Sequence, residues 1–276
     1  MPTDDQPSAP TLQDVRLVVA DMDGTLLDER GAIPDAFWPV LDRLSEHGIV
    51  FAVASGRQYA ALAELFGRAG DDLALIAENG AYVVRAGQEV SSSTVEAAFV
   101  DHMVAVSREL AGRFDLGLVW SGPGSAYVER SDPAFLAEAG RFYTSLRVVD
   151  DLGQVTDRAL KFAVYDVAGG SAGSRDALVA ALRPFRVVMS SEHWMDIMDP
   201  AVNKGVAVQA LQRSLGIGPD QTMAFGDYLN DLEMLAEATH SFAMANAHPR
   251  VARATRHRAP SNAEHGVVKV LDTLLG

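Results

Sequence analysis

Two rhythms of apolar and polar positions run along the chain. Val15-Arg16-Leu17-Val18-Val19-Ala20 is a short, almost continuously apolar run. A run without alternation predicts a strand buried on both faces, as in a parallel sheet. Residues 35–47 carry Phe37, Val40, Leu41 and Leu44 at helical spacing, and Gly48 closes the segment. Residues 49–54 repeat the apolar run, 58–68 read as a second helix and 73–77 as a third strand. This β-α-β-α-β order predicts a doubly wound, mostly parallel α/β sheet of Rossmann-like type.

The middle of the chain changes character. Segments 81–84, 116–120, 126–129, 161–167 and 186–189 predict strands, several only half apolar, while 95–110, 133–146 and 175–182 predict helices. Half-apolar strands suit a sheet with one face covered and one open. The first rhythm then returns, with helices over 204–215, 231–238 and 267–275 and strands over 222–225 and 241–244. The expected organisation is a loose tail over 1–14, a core built from 15–83 and 190–276, and an inserted α+β domain over 84–189.

Composition narrows the function. The 276 residues are 48% hydrophobic and 22% charged, an ordinary globular profile. A net charge of -14 argues against sequence-independent nucleic-acid binding, which rests on basic residues at phosphates. The chain holds no cysteine, which excludes disulfides, thiolate metal sites and cysteine nucleophiles. The acidic start, MPTDDQPSAPTLQD, lacks the basic and apolar regions of a secretory signal, and no apolar stretch is long enough for a bilayer. The expected location is the cytoplasm, with no membrane partner.

Three predicted core strands end in polar clusters: Asp21-Met22-Asp23-Gly24-Thr25, Ser55-Gly56-Arg57 and Gly226-Asp227-Tyr228-Leu229-Asn230-Asp231. In open α/β sheets ligands bind outside the carboxyl ends of the strands. Asp21 and Asp23, two apart on an extended segment, point the same way, and two such carboxylates repel unless a cation or proton relieves them. A plain Asp-Gly surface turn is the alternative. Asp21 and Asp227 together offer hard oxygen ligands suited to magnesium, although Asp and Asn also serve as helix caps. The Ser55 hydroxyl and the amides around Gly56 suit a phosphate, with an N-cap as the alternative. Lys204 is one of only three lysines in an arginine-preferring chain and sits at a helix start. Lysine fits poorly there unless an anion is present; otherwise it is a surface lysine.

Together, Asp21-Met22-Asp23-Gly24-Thr25, Ser55-Gly56-Arg57, Asn203-Lys204-Gly205 and Gly226-Asp227-Tyr228-Leu229-Asn230-Asp231 resemble the four signatures of the haloacid dehalogenase-like superfamily. Glu78-Asn79-Gly80-Ala81 and Glu264-His265-Gly266-Val267 resemble its Cof-type sugar-phosphatase branch, which carries an α+β cap between the second and third signatures. The resemblance implies a magnesium-dependent phosphatase acting on a small phosphorylated metabolite, a sugar phosphate foremost. It implies Asp21 as nucleophile and Asp23 as acid and base. Magnesium would lie on Asp21, the Asp23 carbonyl and Asp227, and the phosphate on Ser55, Lys204 and the amides near Met22. Asn230 would touch the phosphate or its water, and Asp231 would hold Lys204 or a metal-bound water. Trp120, Tyr127, Tyr143 and Lys161 are candidates to read the leaving group, with core packing the alternative for the aromatics. The resemblance also permits a phosphomutase, or a non-catalytic phosphometabolite-binding regulator; the intact Asp21-Met22-Asp23 argues against the last.

Overall fold

The computed structural model describes residues 11–169 and 173–276. Of the expected loose tail, residues 1–10 lie outside the described residues, and Leu12–Asp14 forms a single tight turn. The described chain divides into two compact units, one of residues 11–56, 66–91 and 203–276, the other of 57–65 and 92–202.

The first unit opens with β1 (Leu17–Asp21), β2 (Val50–Ala54) and β3 (Leu73–Ala77), followed by β4 (Tyr82–Arg85) and β5 (Gln88–Ser92). The second unit holds β6 (Leu116–Ser121), β7 (Ala126–Val128), β8 (Leu146–Val148), β9 (Lys161–Asp166), β10 (Arg186–Met189) and β11 (Trp194–Met198). The chain returns to the first unit for β12 (Thr222–Gly226), β13 (His240–Met244) and β14 (His257–Ala259). The helices, in chain order, are α1 (Phe37–Glu46), α2 (Tyr59–Leu65), α3 (Ala97–Ala111), α4 (Pro133–Ala139), α5 (Ser174–Ala181), α6 (Lys204–Leu215), α7 (Leu232–Ala236), α8 (Pro249–Ala254) and α9 (Gly266–Leu275).

The sheet of the first unit runs β14-β13-β12-β1-β2-β3-β4-β5. Its members from β14 to β3 are parallel, and β4 is antiparallel to β3. Every residue of β1 is buried, as its continuous apolar run requires. One face packs Leu17, Val19, Ala52 and Ile76 against Ala207, Val208 and Leu211 of α6 and Met234 of α7. On α1, Phe37 meets Phe51 of β2 edge to face, with ring centroids 5.0 Å apart. Register then places the chemistry. Asp21 pairs with Ala54, and Ala20 with Phe225, so Ser55 and Asp227 emerge one residue beyond Asp21 at the same carboxyl edge.

The sheet of the second unit runs β10-β11-β9-β6-β7-β8, antiparallel except between β7 and β8. The expected open face differs from what is found. Leu118, Trp120, Phe162 and Val164 pack on the side of α3 and α5, while Val119, Ala163 and Trp194 pack with Phe135 and Ala139 of α4. Both faces of β6 and β9 are thus lined with packed apolar groups, and small residues such as Gly117, pressed against Phe135, let α4 approach. The boundaries also shift from 84–189. β4 and β5 join the sheet of the first unit, and β11, which falls within the expected 190–276, pairs with β9 and β10. The helix expected over 133–146 stops at Ala139 with Gly140 at its C-cap, which frees Leu146–Val148 to pair with β7.

Candidate active site

β1 ends by presenting Asp21, and the next five residues, Met22–Leu26, fold into a tight π-type turn. Gly24 makes that turn possible. Its φ of +86 is left-handed, and a Cβ there would come within 2.5 Å of Asp227 Oδ2. Thr25 Oγ1 donates to Asp227 Oδ1 at 2.9 Å, tying the loop after β1 to the loop after β12.

Lys204 opens α6 behind the cap of Asn203, whose side chain accepts from the Val206 amide at 3.0 Å. Its ammonium is fully buried and donates to Asp21 Oδ1 and, at 2.7 Å, to Asp231 Oδ1. The other oxygen of Asp231 accepts from the amides of Asp227 and Tyr228, each at 3.0 Å. Asp231 thus fixes both Lys204 and the loop that carries Asp227.

The electrostatics follow from burial. Desolvation pushes the Asp21 carboxyl up to about 8; Lys204 opposes the rise, and the Asp231 charge adds to it. Burial also raises Asp227, against the Thr25 hydrogen bond. Burial alone would depress Lys204, but the charges of Asp21 and Asp231 outweigh it and hold the ammonium above its ordinary range.

Asp21, Asp227 and Asp231 can each bring one carboxylate oxygen within 4.8 Å of the others. A convergent set of hard oxygen donors suits a small divalent cation. Asp21 and Asp227 of that set fit a divalent ion, while both oxygens of Asp231 are already engaged by Lys204 and the two amides.

The other sequence-predicted residues are placed as follows. Ser55 is buried at the end of β2, beside Gly56. The Met22 side chain is buried in the core, Asp23 is exposed on its turn, and Asn230 is exposed on the short turn Leu229–Asp231. In the second unit Trp120 and Tyr143 are buried in apolar clusters, and the Tyr127 hydroxyl donates to Asp157 at 3.1 Å. Lys161 is buried 3.6 Å from Asp196.

Sequence reasoning missed two asparagines. Asn246 Nδ2 donates to the Gly24 carbonyl at 2.8 Å. Asn262 donates through its amide nitrogen to Asn246 Oδ1 at 3.2 Å and through Nδ2 to the Leu27 carbonyl at 3.0 Å. The middle and the far end of the loop after β1 are held this way. Neither asparagine stands at a strand end or in a periodic pattern, so only their distant partners reveal them.

A parallel sheet with a buried Asp–Lys–Asp cluster at the carboxyl end of its central strands defines a phosphoryl-handling hydrolase core. The sequence pattern of the haloacid dehalogenase-like hydrolases matches residues 18–271. The chain belongs to that family and is a phosphatase, in agreement with the four signatures. It is 33% identical to the 5-amino-6-(5-phospho-D-ribitylamino)uracil phosphatase YbjI of Escherichia coli, over 95% of this chain and 96% of the relative. It is 26% identical to the HMP-PP phosphatase of Cronobacter sakazakii, over 86% of each chain. Among solved structures, SMU.1108c of Streptococcus mutans superposes with a TM-score of 0.79 at 28% identity, covering 95% of this chain and 99% of that one. Among the described residues no helix is long and apolar enough to cross a membrane.

Proposed function

We propose that this enzyme hydrolyses the phosphate monoester of a small hydroxyl-bearing metabolite, a sugar or polyol phosphate, through an aspartyl-phosphate on Asp21. The observation that carries the reading is the buried Asp21 carboxylate at the end of the central strand, aligned by Lys204 beside Asp227. The substrate class draws on the Escherichia coli relative, whose name describes a phosphate carried on a ribityl chain.

In the first step an Asp21 oxygen forms a bond to phosphorus as the ester oxygen departs, and the Asp23 carboxyl gives that oxygen its proton. In the second step the Asp23 carboxylate takes a proton from water as the water oxygen attacks phosphorus. Inorganic phosphate leaves and the Asp21 carboxylate is restored. The exposure of Asp23 suits a group that must meet first a leaving group and then water. Lys204, the Ser55 hydroxyl and the amides around Met22 and Gly56 hold the non-bridging phosphate oxygens, and Asn230 touches the phosphate or its water. Phosphoryl transfer needs chiefly such positioning and charge stabilisation. Asp21, Asp227 and the Asp23 carbonyl would hold Mg2+, with Asp231 behind them on Lys204. When bound, the ion offsets the charge between the Asp21 carboxylate and the phosphate dianion.

The test is phosphate release from a generic aryl phosphate with and without magnesium, extended to a panel of phosphorylated sugars and polyols. Release is expected only with the metal, and sugar or polyol phosphates are expected to lead the panel. Transfer of the phosphoryl group to a sugar acceptor in place of water would overturn the reading.

A further inference from the structure

The turn Glu78-Asn79-Gly80 takes no part in the chemistry above, yet its backbone is unusual. Its three consecutive residues are left-handed, with φ of 51°, 56° and 103°. Residues with a Cβ visit that region at a cost, and such a run persists only where its surroundings determine it. The surroundings here are two parts of the site. On one side the Asn79 amide donates to the Ser55 carbonyl at 2.9 Å, while the Ser55 amide donates to Ile76 of β3 at 2.8 Å. The Asn79 side chain also lies against Gly56, where an added Cβ would sit 3.0 Å from its amide group. On the other side Gly80 abuts the start of α6. A Cβ on Gly80 would fall onto the Asn203 carbonyl and 3.2 Å from the Lys204 amide. Glu78 and Gly80 are buried, and the turn packs on α6.

We infer that this turn is a spacer that sets the separation of Ser55 from Lys204, so that Asn79 and Gly80 act as positioning residues for the bound phosphate. The inference rests on the roles proposed above for Ser55 and Lys204. Ser55 ends β2 and Lys204 starts a helix far along the chain, so nothing in either element alone determines the distance between them. The turn touches the backbone of both. Its left-handed residues leave it few other conformations, which makes it a stiff gauge.

The test uses the full chain at saturating magnesium and reads the inhibition constant of inorganic phosphate together with KM for several phosphate esters. Asn79→Gly tolerates the positive φ and keeps the backbone N–H, but removes the amide that lies on Gly56. It is expected to weaken inorganic phosphate and all esters by one common factor of about tenfold, the scale of one lost polar contact. Gly80→Ala, which pushes the Asn203 carbonyl aside, is expected to weaken them further. In the Ser55→Ala background the Asn79→Gly effect is expected to shrink to less than about twofold, because a residue that acts through Ser55 has nothing left to position. A lower melting temperature with unchanged phosphate inhibition would show a merely structural turn. Full additivity of Asn79→Gly and Ser55→Ala would overturn the inference alone. If Ser55→Ala leaves phosphate inhibition unchanged, the role proposed for Ser55 falls, and the inference falls with it. Should Gly80→Ala fail to fold, Asn79→Gly carries the test by itself.

Discussion

Lys204 bridges Asp21 and Asp231, donating to one oxygen of each carboxylate from a fully buried position. One ammonium thus serves two carboxyl groups, and its removal leaves both without that donor. Lys204→Met is expected to lower stability by about 3 kcal/mol, the scale of breaking a buried ion pair from one side. Loss of the charge proposed to bind the phosphate should also cut kcat/KM by about 100-fold or more. Because every ester shares the phosphate, the loss should be similar across substrates. Denaturant melts and an ester panel check both points, and a loss confined to one ester would contradict the assignment.

Asp21→Asn is expected to reduce turnover by roughly 10^4-fold or more, since the amide cannot form the proposed covalent intermediate. Its circular dichroism spectrum should match that of the wild type. A variant retaining a tenth of wild-type phosphatase activity would show that Asp21 is not the nucleophile.

Activity is expected to require magnesium and to be inhibited by calcium. The proposed site of two carboxylates and one carbonyl suits compact octahedral coordination, whereas calcium prefers more ligands and looser geometry. Metal-free enzyme should regain activity on adding magnesium and lose it as calcium is titrated in. Full turnover in excess chelator would remove the metal from the account.

The raised pKa of Asp21 predicts a pH dependence of stability. Burial lifts this carboxyl from 3.8 to about 8, so in that window the folded protein holds a proton that the unfolded chain has released. Stability therefore falls as pH rises through the window. Asp21→Asn carries no such proton. In chelator, the difference in melting temperature between variant and wild type should move in favour of the variant from about pH 5 to about pH 9. A flat or opposite trend would show that Asp21 stays ionised in the metal-free fold.

The sequence alone determined the core of this protein. Continuous apolar runs at β1, β2, β3 and β12 can only be buried on both faces, so a parallel sheet follows, and the polar residues that end those runs must reach one edge. The placement of Asp21, Ser55 and Asp227 at that edge was legible for that reason, and the placement of Lys204 at the start of α6 from helical spacing, since positions at element ends are a local property. The second unit was less legible. β8 and β11 there, like β5 and β14 at the edges of the first unit's sheet, are short or polar, and only their pairing with a neighbouring strand defines them. The open sheet face read from half-apolar strands disappeared because α4 stops at Gly140 and packs on it. Within the site, only tertiary structure decided that Asp231 holds Lys204 and the Asp227 loop together, and that Asn246 and Asn262 grip the loop after β1. These are side-chain hydrogen bonds, some spanning more than 200 residues of sequence, and the partner of such a bond is set by packing, which no local pattern encodes.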